Sequence, residues 1–301
     1  MAKATDKSYS YVVANETDEL WGLYVTTIGF QPIMPDQRVP SSDHPSAYWF
    51  DPAVGRTLQE YQIIYITKGE GTFHSASMAR RQVGAGNTLF LFPGEWHSYW
   101  PKRRSGWEAY WIGFNGPNME GLAKHFFSRR QAVLDIGFNE QLISLYEQGI
   151  DIAHYQKAAF QPMLAGIAQC LLSTVYYSDR NNSFRDKEII TKIDQARMMM
   201  HNHAPRTIDP EEIARQLNMS YSWFRRVFKQ YTGFSPVQYQ MEIRIQRAKE
   251  LLTGTTFAVK EIAYELNFES FSHFVALFRQ KTGMTPGAYR DSVRGGKRLD
   301  L

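Results

Sequence analysis

The chain has 301 residues and a single cysteine, Cys170, so it cannot close an internal disulfide. That excludes a disulfide-stapled secreted scaffold and suits a reducing cytoplasm. It also has no long apolar run. The opening MAKATDKSYS lacks the apolar centre of a secretory signal. The most apolar stretch, FQPMLAGIAQCLLSTVYY at 160–177, is broken by Gln161, Pro162 and Gln169 and is short for a bilayer. A buried helix is expected there, in a cytoplasmic protein without a membrane partner. Nor is there a strong excess of one charge, since 34 Lys+Arg face 30 Asp+Glu. The division is uneven, however: from Arg185 onward 19 Lys+Arg face 13 Asp+Glu, a net +6, whereas the part before it holds 15 and 17, a net −2. Such a split suits a nucleic-acid module joined to a part with another task. The length allows two domains, each burying its own core.

What the C-terminal third does have is a repeat. Residues 213–239 read IARQLNMSYSWFRRVFKQYTGFSPVQY, and residues 262–289 read IAYELNFESFSHFVALFRQKTGMTPGAY. Ile213/Ile262, Ala214/Ala263, Leu217/Leu266 and Asn218/Asn267 lie 49 positions apart. Phe224/Phe274, Phe228/Phe278, Gly233/Gly283, Pro236/Pro286 and Tyr239/Tyr289 lie 50 apart, so the second copy carries one extra residue. A helical unit repeated in this way points to two helix-turn-helix modules, side by side on one DNA face.

Each copy can be built from its residues. Asp209 is placed to cap a helix that begins at Pro210, and Glu212 to reach back to a free backbone N–H. Ile213, Ala214 and Leu217 form one buried stripe, with Ala214 small enough for a second helix to cross closely. Asn218 and Asn267 end the first helices where a sharp turn wants left-handed backbone. Ser220 is placed to cap the second helix of copy one. Its inner face is Phe224, Val227 and Phe228, and its outer face Tyr221, Ser222, Arg225, Arg226 and Lys229. That outer face carries donors for base edges and charge for phosphates. Gly233 and Gly283 stop the second helices, and Ser235-Pro236 and Thr285-Pro286 start new ones. Residues 237–252, with Tyr239, Ile243, Ala248, Leu251 and Leu252 on or near one side, are long enough for a rigid spacer. Rigidity matters because two recognition helices on one DNA face stand about one helical turn, roughly 34 Å, apart.

The doubled pattern A-x-x-L, F-[KR]-x-x-x-G and [ST]-P-x-x-Y, over roughly 187–293, resembles the DNA-binding domain of the AraC family of bacterial transcription regulators. The resemblance implies base-reading positions at Ser222, Arg225 and Arg226 in copy one, next to Tyr221. In copy two it implies Phe271, Ser272, His273 and Ala276. Lys229, Arg279 and Lys281 are placed for phosphates. Ala276 departs from the pattern, because family members commonly carry Arg there. Copy two is left with little capacity for bidentate reading of guanine, so copy one is expected to carry more of the base specificity.

Between about Leu20 and Phe114 the texture changes to short aromatic and β-branched runs. YQIIYIT (61–67), GTFHSA (71–76), NTLFLF (87–92), WHSYW (96–100) and WEAYWIGF (107–114) read as strands of a small barrel. Turns are expected at 68–71, 84–87 and 93–95. The run from Gly69 to Phe114 resembles the cupin-type ligand-binding domain of the same family. GNTLFLFPGEWH, ending at His97, is close to a metal-binding cupin motif. Around His74, however, there is neither a second His nor a suitably placed Glu, and one imidazole does not make a site. His97 is therefore read as hydrogen-bonded in the barrel mouth, and no metal, cofactor or catalytic residue is assigned. Six of the seven Trp (Trp21, Trp49, Trp96, Trp100, Trp107 and Trp111) precede the helical part. Their faces suit the C–H faces of a sugar, although such rings equally serve to fill a small barrel. Alternation puts His97 and Tyr99 on one strand face and Trp96, Ser98 and Trp100 on the other. Resemblance to sugar-responsive members implies ligand contacts at Tyr99 and Trp111. Arg56 is the candidate polar clamp, its GR loop reading equally as solvated surface, and His97 joins Arg56, Tyr99 and Trp111 as the expected ligand-binding residues.

The expected fold class is thus α+β multidomain. A cupin-like barrel (1–117) and a helical dimerisation segment (118–180) precede an all-α tandem helix-turn-helix domain (181–301) with modules at 209–233 and 259–283. Leu142, Leu145, Tyr146, Gly149 and Ile150, then Phe160, Leu164, Ile167, Leu171 and Leu172, form apolar stripes that suit either a dimer seam or the barrel. Residues 178–187 read as the interdomain linker. The expected partners are double-stranded DNA, a small-molecule effector such as a sugar, a second copy of the chain and RNA polymerase, with activation as the family's usual output. The rival readings are a cupin metalloenzyme with a DNA-binding tail and a regulator whose barrel holds no ligand.

Overall fold

The structure, a computed structural model, describes residues 8–37, 51–183, 187–203 and 207–295. The chain divides into two compact units, Met1–Arg185 and Asp186–Leu301.

In the first unit the described strands are β1 (Ser8–Tyr11), β2 (Tyr24–Ile33), β3 (Arg56–Thr57), β4 (Tyr61–Ser75), β5 (Met78–Gly84), β6 (Asn87–Leu91), β7 (Trp96–Pro101), β8 (Trp107–Asn115) and β9 (Val133–Asp135). They pair antiparallel in the order β1-β2-β8-β4-β6-β9, with β5 and β7 on the far half of β4 and β3 on β7. Strand β4 joins the two layers. Its residues 61–69 run along β8, and 71–75 along β7. The bend falls at a register shift between Ile66 and Lys68, beside Gly69 at φ 84°, where any Cβ would collide with the Gly106 carbonyl. The turn expected at 68–71 is therefore a bent strand, because Gly-Glu-Gly serves a barrel corner as well as a turn. The polar β5, MARRQVG, gave no strand signal since it buries only Val83.

Helices α1 (Glu16–Glu19), α2 (Pro117–Phe126), α3 (Glu140–Tyr155) and α4 (Phe160–Ser183) complete this unit. Both stripes predicted for a seam or the barrel are used within the chain. Leu142, Tyr146 and Ile150 of α3 and Leu164, Ile167, Leu171 and Leu172 of α4 share one core with Ile28, Ile63 and Ile112. Each such side chain contributes roughly 1.5–3 kcal/mol of apolar burial. Gln161, which interrupts the apolar run, is buried and accepts from Val25 N at 3.1 Å while donating to Val25 O at 2.9 Å and Val13 O at 3.1 Å. It ties the start of α4 to β2. Residues 178–183, read as linker, continue α4, with Asn139 Nδ2 donating to Ser178 Oγ at 3.3 Å and Asn182 Nδ2 to Asp135 O at 2.9 Å. A polar run thus becomes a helix end once its side chains find partners. Positions 184–186 of the expected linker lie outside the described residues.

The second unit contains α5 (Lys187–His203), α6 (Pro210–Gln216), α7 (Tyr221–Thr232), α8 (Pro236–Gly254), α9 (Val259–Glu265), α10 (Phe271–Thr282) and α11 (Pro286–Gly295). Helices α6 and α7 form one helix-turn-helix around buried Ile213, Ala214, Leu217, Phe224, Val227 and Phe228. Helices α9 and α10 form the other around Ile262, Ala263, Leu266, Phe274 and Phe278. Asn218 and Asn267 are left-handed, at φ 52° and 54°, and Gly233 and Gly283 cap α7 and α10 at φ 81° and 80°. The repeat also duplicates its clamps. Tyr239 packs on Phe228 with ring centroids 5.3 Å apart, as Tyr289 does on Phe278 at 5.5 Å. Gln240 Nε2 donates to Ile208 O at 2.8 Å, and Arg290 Nη2 donates to the matching Phe257 O at 2.6 Å.

Two capping expectations change. Asp209 does cap α6, accepting from Glu211 N at 2.9 Å, but Glu212 turns outward to Gln216 Nε2 at 2.7 Å and to Arg215. Ser220 stands at the N-cap of α7 without a side-chain cap bond, whereas Ser270 accepts from His273 N at 3.1 Å. Along α8 the buried residues are Pro236 and Gln240, then Ile245, Ala248 and Leu252. Ile243 is only half-buried, because the buried face shifts as α8 passes from one module core to the other.

Candidate functional site

Helix α7 hides Phe224, Val227 and Phe228 and turns Ser222, Arg225, Arg226 and Lys229 outward, with Tyr221 half-exposed. The Arg226 guanidinium lies 4.7 Å above the Trp223 ring, and Trp223 is 38% exposed. Sequence reasoning passed over Trp223. The signal was an aromatic three residues before an arginine on one helix, a spacing that lets the ring support a flat guanidinium. Helix α10 presents Phe271, Ser272, His273, Ala276 and Arg279 to solvent. Where α7 carries Arg225 and Arg226, α10 carries Val275 and Ala276, so its exposed face has no Lys or Arg before Arg279. The Lys281 ammonium pairs with Glu242 of α8.

The barrel brings together residues far apart in sequence. Arg56 on β3 faces His97 on β7 in direct register. Arg56 Nη2 donates to Tyr99 Oη at 2.7 Å, and its guanidinium lies 5.6 Å from the Tyr99 ring centre. His97 is 1% exposed, donates from Nδ1 to Glu95 O at 3.1 Å and accepts at Nε2 from Arg56 Nε at 3.4 Å. Burial first, and the Arg56 charge second, push its pKa down to about 4, so the ring is neutral at physiological pH. Glu95 is also engaged: it is buried and accepts from Ser75 Oγ at 2.8 Å, Ser77 N at 3.0 Å and Arg129 Nη1 at 3.3 Å. A cation on His97 Nε2 would have to displace the guanidinium, so the His97 end of the barrel does not suit a metal. Among the described residues no group of three His, Cys, Asp or Glu is placed to hold one.

Tyr99 meets Trp107 with ring centroids 5.9 Å apart, and strand alternation puts Trp111 on the same face of β8 as Trp107. Trp111 occupies another corner, where Nε1 donates to Thr27 Oγ1 at 3.2 Å and its ring lies 6.0 Å from Tyr9. The structure therefore joins Arg56, His97 and Tyr99 in one cluster. Trp107, which sequence reasoning counted but did not select, completes it. On the other side of His97 the space lined by Phe73, Phe90, Leu91 and Phe92 has no room for a water molecule. As expected from alternation, Trp96 and Ser98 point the other way, bonding Val54 O at 3.0 Å and Pro52 O at 2.7 Å. No described helix is long and apolar enough to cross a membrane.

Comparison with known proteins places both halves. Residues 47–189 match a model of the AraC-like ligand-binding domain, and residues 213–292 match a helix-turn-helix domain model. The MmsAB operon regulatory protein of Pseudomonas aeruginosa is 24% identical over 278 residues, covering 91% of this chain and 85% of that protein. The raffinose operon transcriptional regulatory protein of Pediococcus pentosaceus is 22% identical over 242 residues, covering 77% and 85%. Among solved structures, a transcriptional regulator with an AraC-type DNA-binding domain from Chromobacterium violaceum is 29% identical over 34% of this chain and 92% of its own, with a TM-score of 0.33. The chain belongs to the AraC family of DNA-binding transcription regulators, with an AraC-like ligand-binding domain ahead of its helix-turn-helix domain.

Proposed function

We propose that the chain reads a specific operator through α7 and α10 and responds to a small metabolite, such as a sugar, held in its barrel. The observation that carries the operator reading is the exposed face of α7, where Arg225 and Arg226 stand outward over a fully buried aromatic face. Ser222, Arg225 and Arg226, with Tyr221 beside them, contact base edges, and so do Ser272 and His273 next to Phe271 in the second module. Lys229 and Arg279 neutralise phosphates, and Lys281 has two further N–H donors for the same purpose beyond the one held by Glu242.

The Arg56–Tyr99 pair provides hydroxyl-bonding groups and the Trp107 ring beside it a flat apolar face, a combination suited to a polyol, while the Trp111 ring offers a second such face in its own corner beside Thr27 and Tyr9. His97 acts one step back, since both its ring nitrogens are used and it orients Arg56. A relative's role in a raffinose operon favours a sugar. Dimerisation uses the outer stripe of α4, where Met163, Gly166, Cys170, Ser173 and Tyr177 are exposed at alternating three- and four-residue steps. The output is activation through RNA polymerase, biased by an effector that prefers one arrangement of the protein.

The test is an anisotropy titration of the full chain on its selected operator. Arg225→Ala or Arg226→Ala costs about 1–3 kcal/mol and blurs the preference at the base pair it reads. Unchanged affinity and preference in both variants reject base reading by α7.

A further inference from the structure

Within each module two of the stabilising contacts come in pairs related by the repeat. Tyr239 and Tyr289 play one part, and Gln240 and Arg290 another. Two polar contacts that α8 makes outward to the second module have no such duplicate among the described residues. They are made by two nearby polar residues, Glu242 and Arg244, in addition to the bond that Arg290 Nε donates to Leu252 O at 3.3 Å. Glu242 pairs with Lys281 in the last turn of α10. Arg244 reaches the opposite end of the same module: Nη1 donates to Asn267 O at 3.3 Å, and the guanidinium lies 4.7 Å from the Phe268 ring centre. Asn267 and Phe268 are the turn that leads into α10. The recognition helix of the second module is thus held from α8 both at its entrance and at its end.

The apolar core between α8 and the second module, with Ile245, Ala248 and Leu252 against Ile262, Phe274 and Phe278, fixes how close the elements lie. Burial is non-directional and sets rotation about α8 only loosely, whereas a hydrogen bond and an ion pair at two separated points define an orientation. Arg244 is also held under unfavourable conditions. Its Nε is buried without a hydrogen-bond partner, and desolvation lowers its pKa despite the nearby Glu269 carboxylate. An apolar residue on α8 would avoid both, so stability alone does not account for an arginine here.

We propose that Glu242 and Arg244 set the rotational phase of α10 about α8, and therefore the spacing that the protein accepts between its two half-sites. This rests on the reading of α7 and α10 as a pair of operator readers. Inserting one base pair between the half-sites turns the second by about 35° and moves it about 3.4 Å. A rigidly phased pair loses one module's contacts on such a site, while a loosely phased pair follows the rotation.

The experiment measures the full chain on its selected operator and on the same DNA with one base pair inserted or removed between the half-sites. The readout is the ratio of the two affinities, which a uniform loss of binding does not change. The native protein is expected to bind the altered sites at least about 30-fold more weakly. Glu242→Gln combined with Arg244→Met, which keeps an unbranched side chain in the space beside Phe268 but removes the guanidinium, is expected to bind the operator itself more weakly and to reduce that ratio to about threefold. If the double variant does not melt cooperatively, Glu242→Gln alone, a change in a partly exposed pair, is expected to lower the ratio to an intermediate value. A native ratio near one would show that the modules do not read phased half-sites and would overturn the operator reading along with this proposal. A large native ratio preserved in the folded variants would overturn the phasing role of Glu242 and Arg244 and leave operator reading intact.

Discussion

His97 makes a quantitative demand on the barrel. Its imidazole titrates near 6.5 when exposed, and burial beside Arg56 pushes that down to about 4 in the folded state. As the pH falls, the unfolded chain takes up this proton first. The neutral ring's contribution is fully present above about pH 6.5 and is lost as the pH falls towards 4. At about 1.4 kcal/mol per tenfold change, the loss amounts to about 2 kcal/mol at pH 5 and about 3 kcal/mol at pH 4. His97→Gln keeps a donor and an acceptor but does not titrate. The assay is urea denaturation followed by Trp fluorescence, which reports the barrel because six of the seven Trp lie before the helical part. Between pH 7.5 and 5 the native protein should lose about 2 kcal/mol more than His97→Gln, close to a 1 M difference in midpoint shift at an m-value of about 2 kcal/mol/M. His74, whose pKa is also lowered by burial and by Arg80, is common to both proteins and cancels. Equal pH dependence in the two would refute the assignment of a buried, neutral His97 held by Arg56 and Glu95.

Asn267→Gly should leave stability nearly unchanged, whereas Asn267→Ala should lose about 1–2 kcal/mol in thermal unfolding, because alanine resists the left-handed turn; equal effects would speak against that turn. Scrambling the half-site under α10 should weaken binding less than scrambling the one under α7, since Val275 and Ala276 stand where α7 carries two arginines. Equal losses in a mobility-shift titration would contradict the asymmetry. Tyr99→Phe removes the hydroxyl bonded to Arg56 and should weaken effector binding about tenfold, as a loss of about 1 kcal/mol or slightly more implies. A thermal-shift titration against a sugar panel checks this, and an unaltered response would remove Tyr99 from the pocket.

The repeat, the left-handed Asn218 and Asn267, the glycine stops and the inward faces of α7 and α10 were all legible in the sequence. The repeat shows as identity at a fixed spacing of 49–50 residues, and the others depend on residues within about one helical turn of one another, relations that helical periodicity writes directly into residue order. The face assignment on β7 was legible for the same reason. By contrast, a strand's partners are chosen across the chain. Only the folded barrel shows that Arg56 reaches His97 and Tyr99, more than 40 positions away. Only there does the glycine pair at 69 and 71 prove to be a corner within β4 rather than a turn. The stripes of α3 and α4 had two possible customers, and long-range packing assigned them to the barrel. Glu242 and Lys281, 39 residues apart, carry no local pattern at all. Their pairing exists because α8 must meet a second copy of a fold it has just left, and that meeting is a property of three-dimensional contact rather than of residue order.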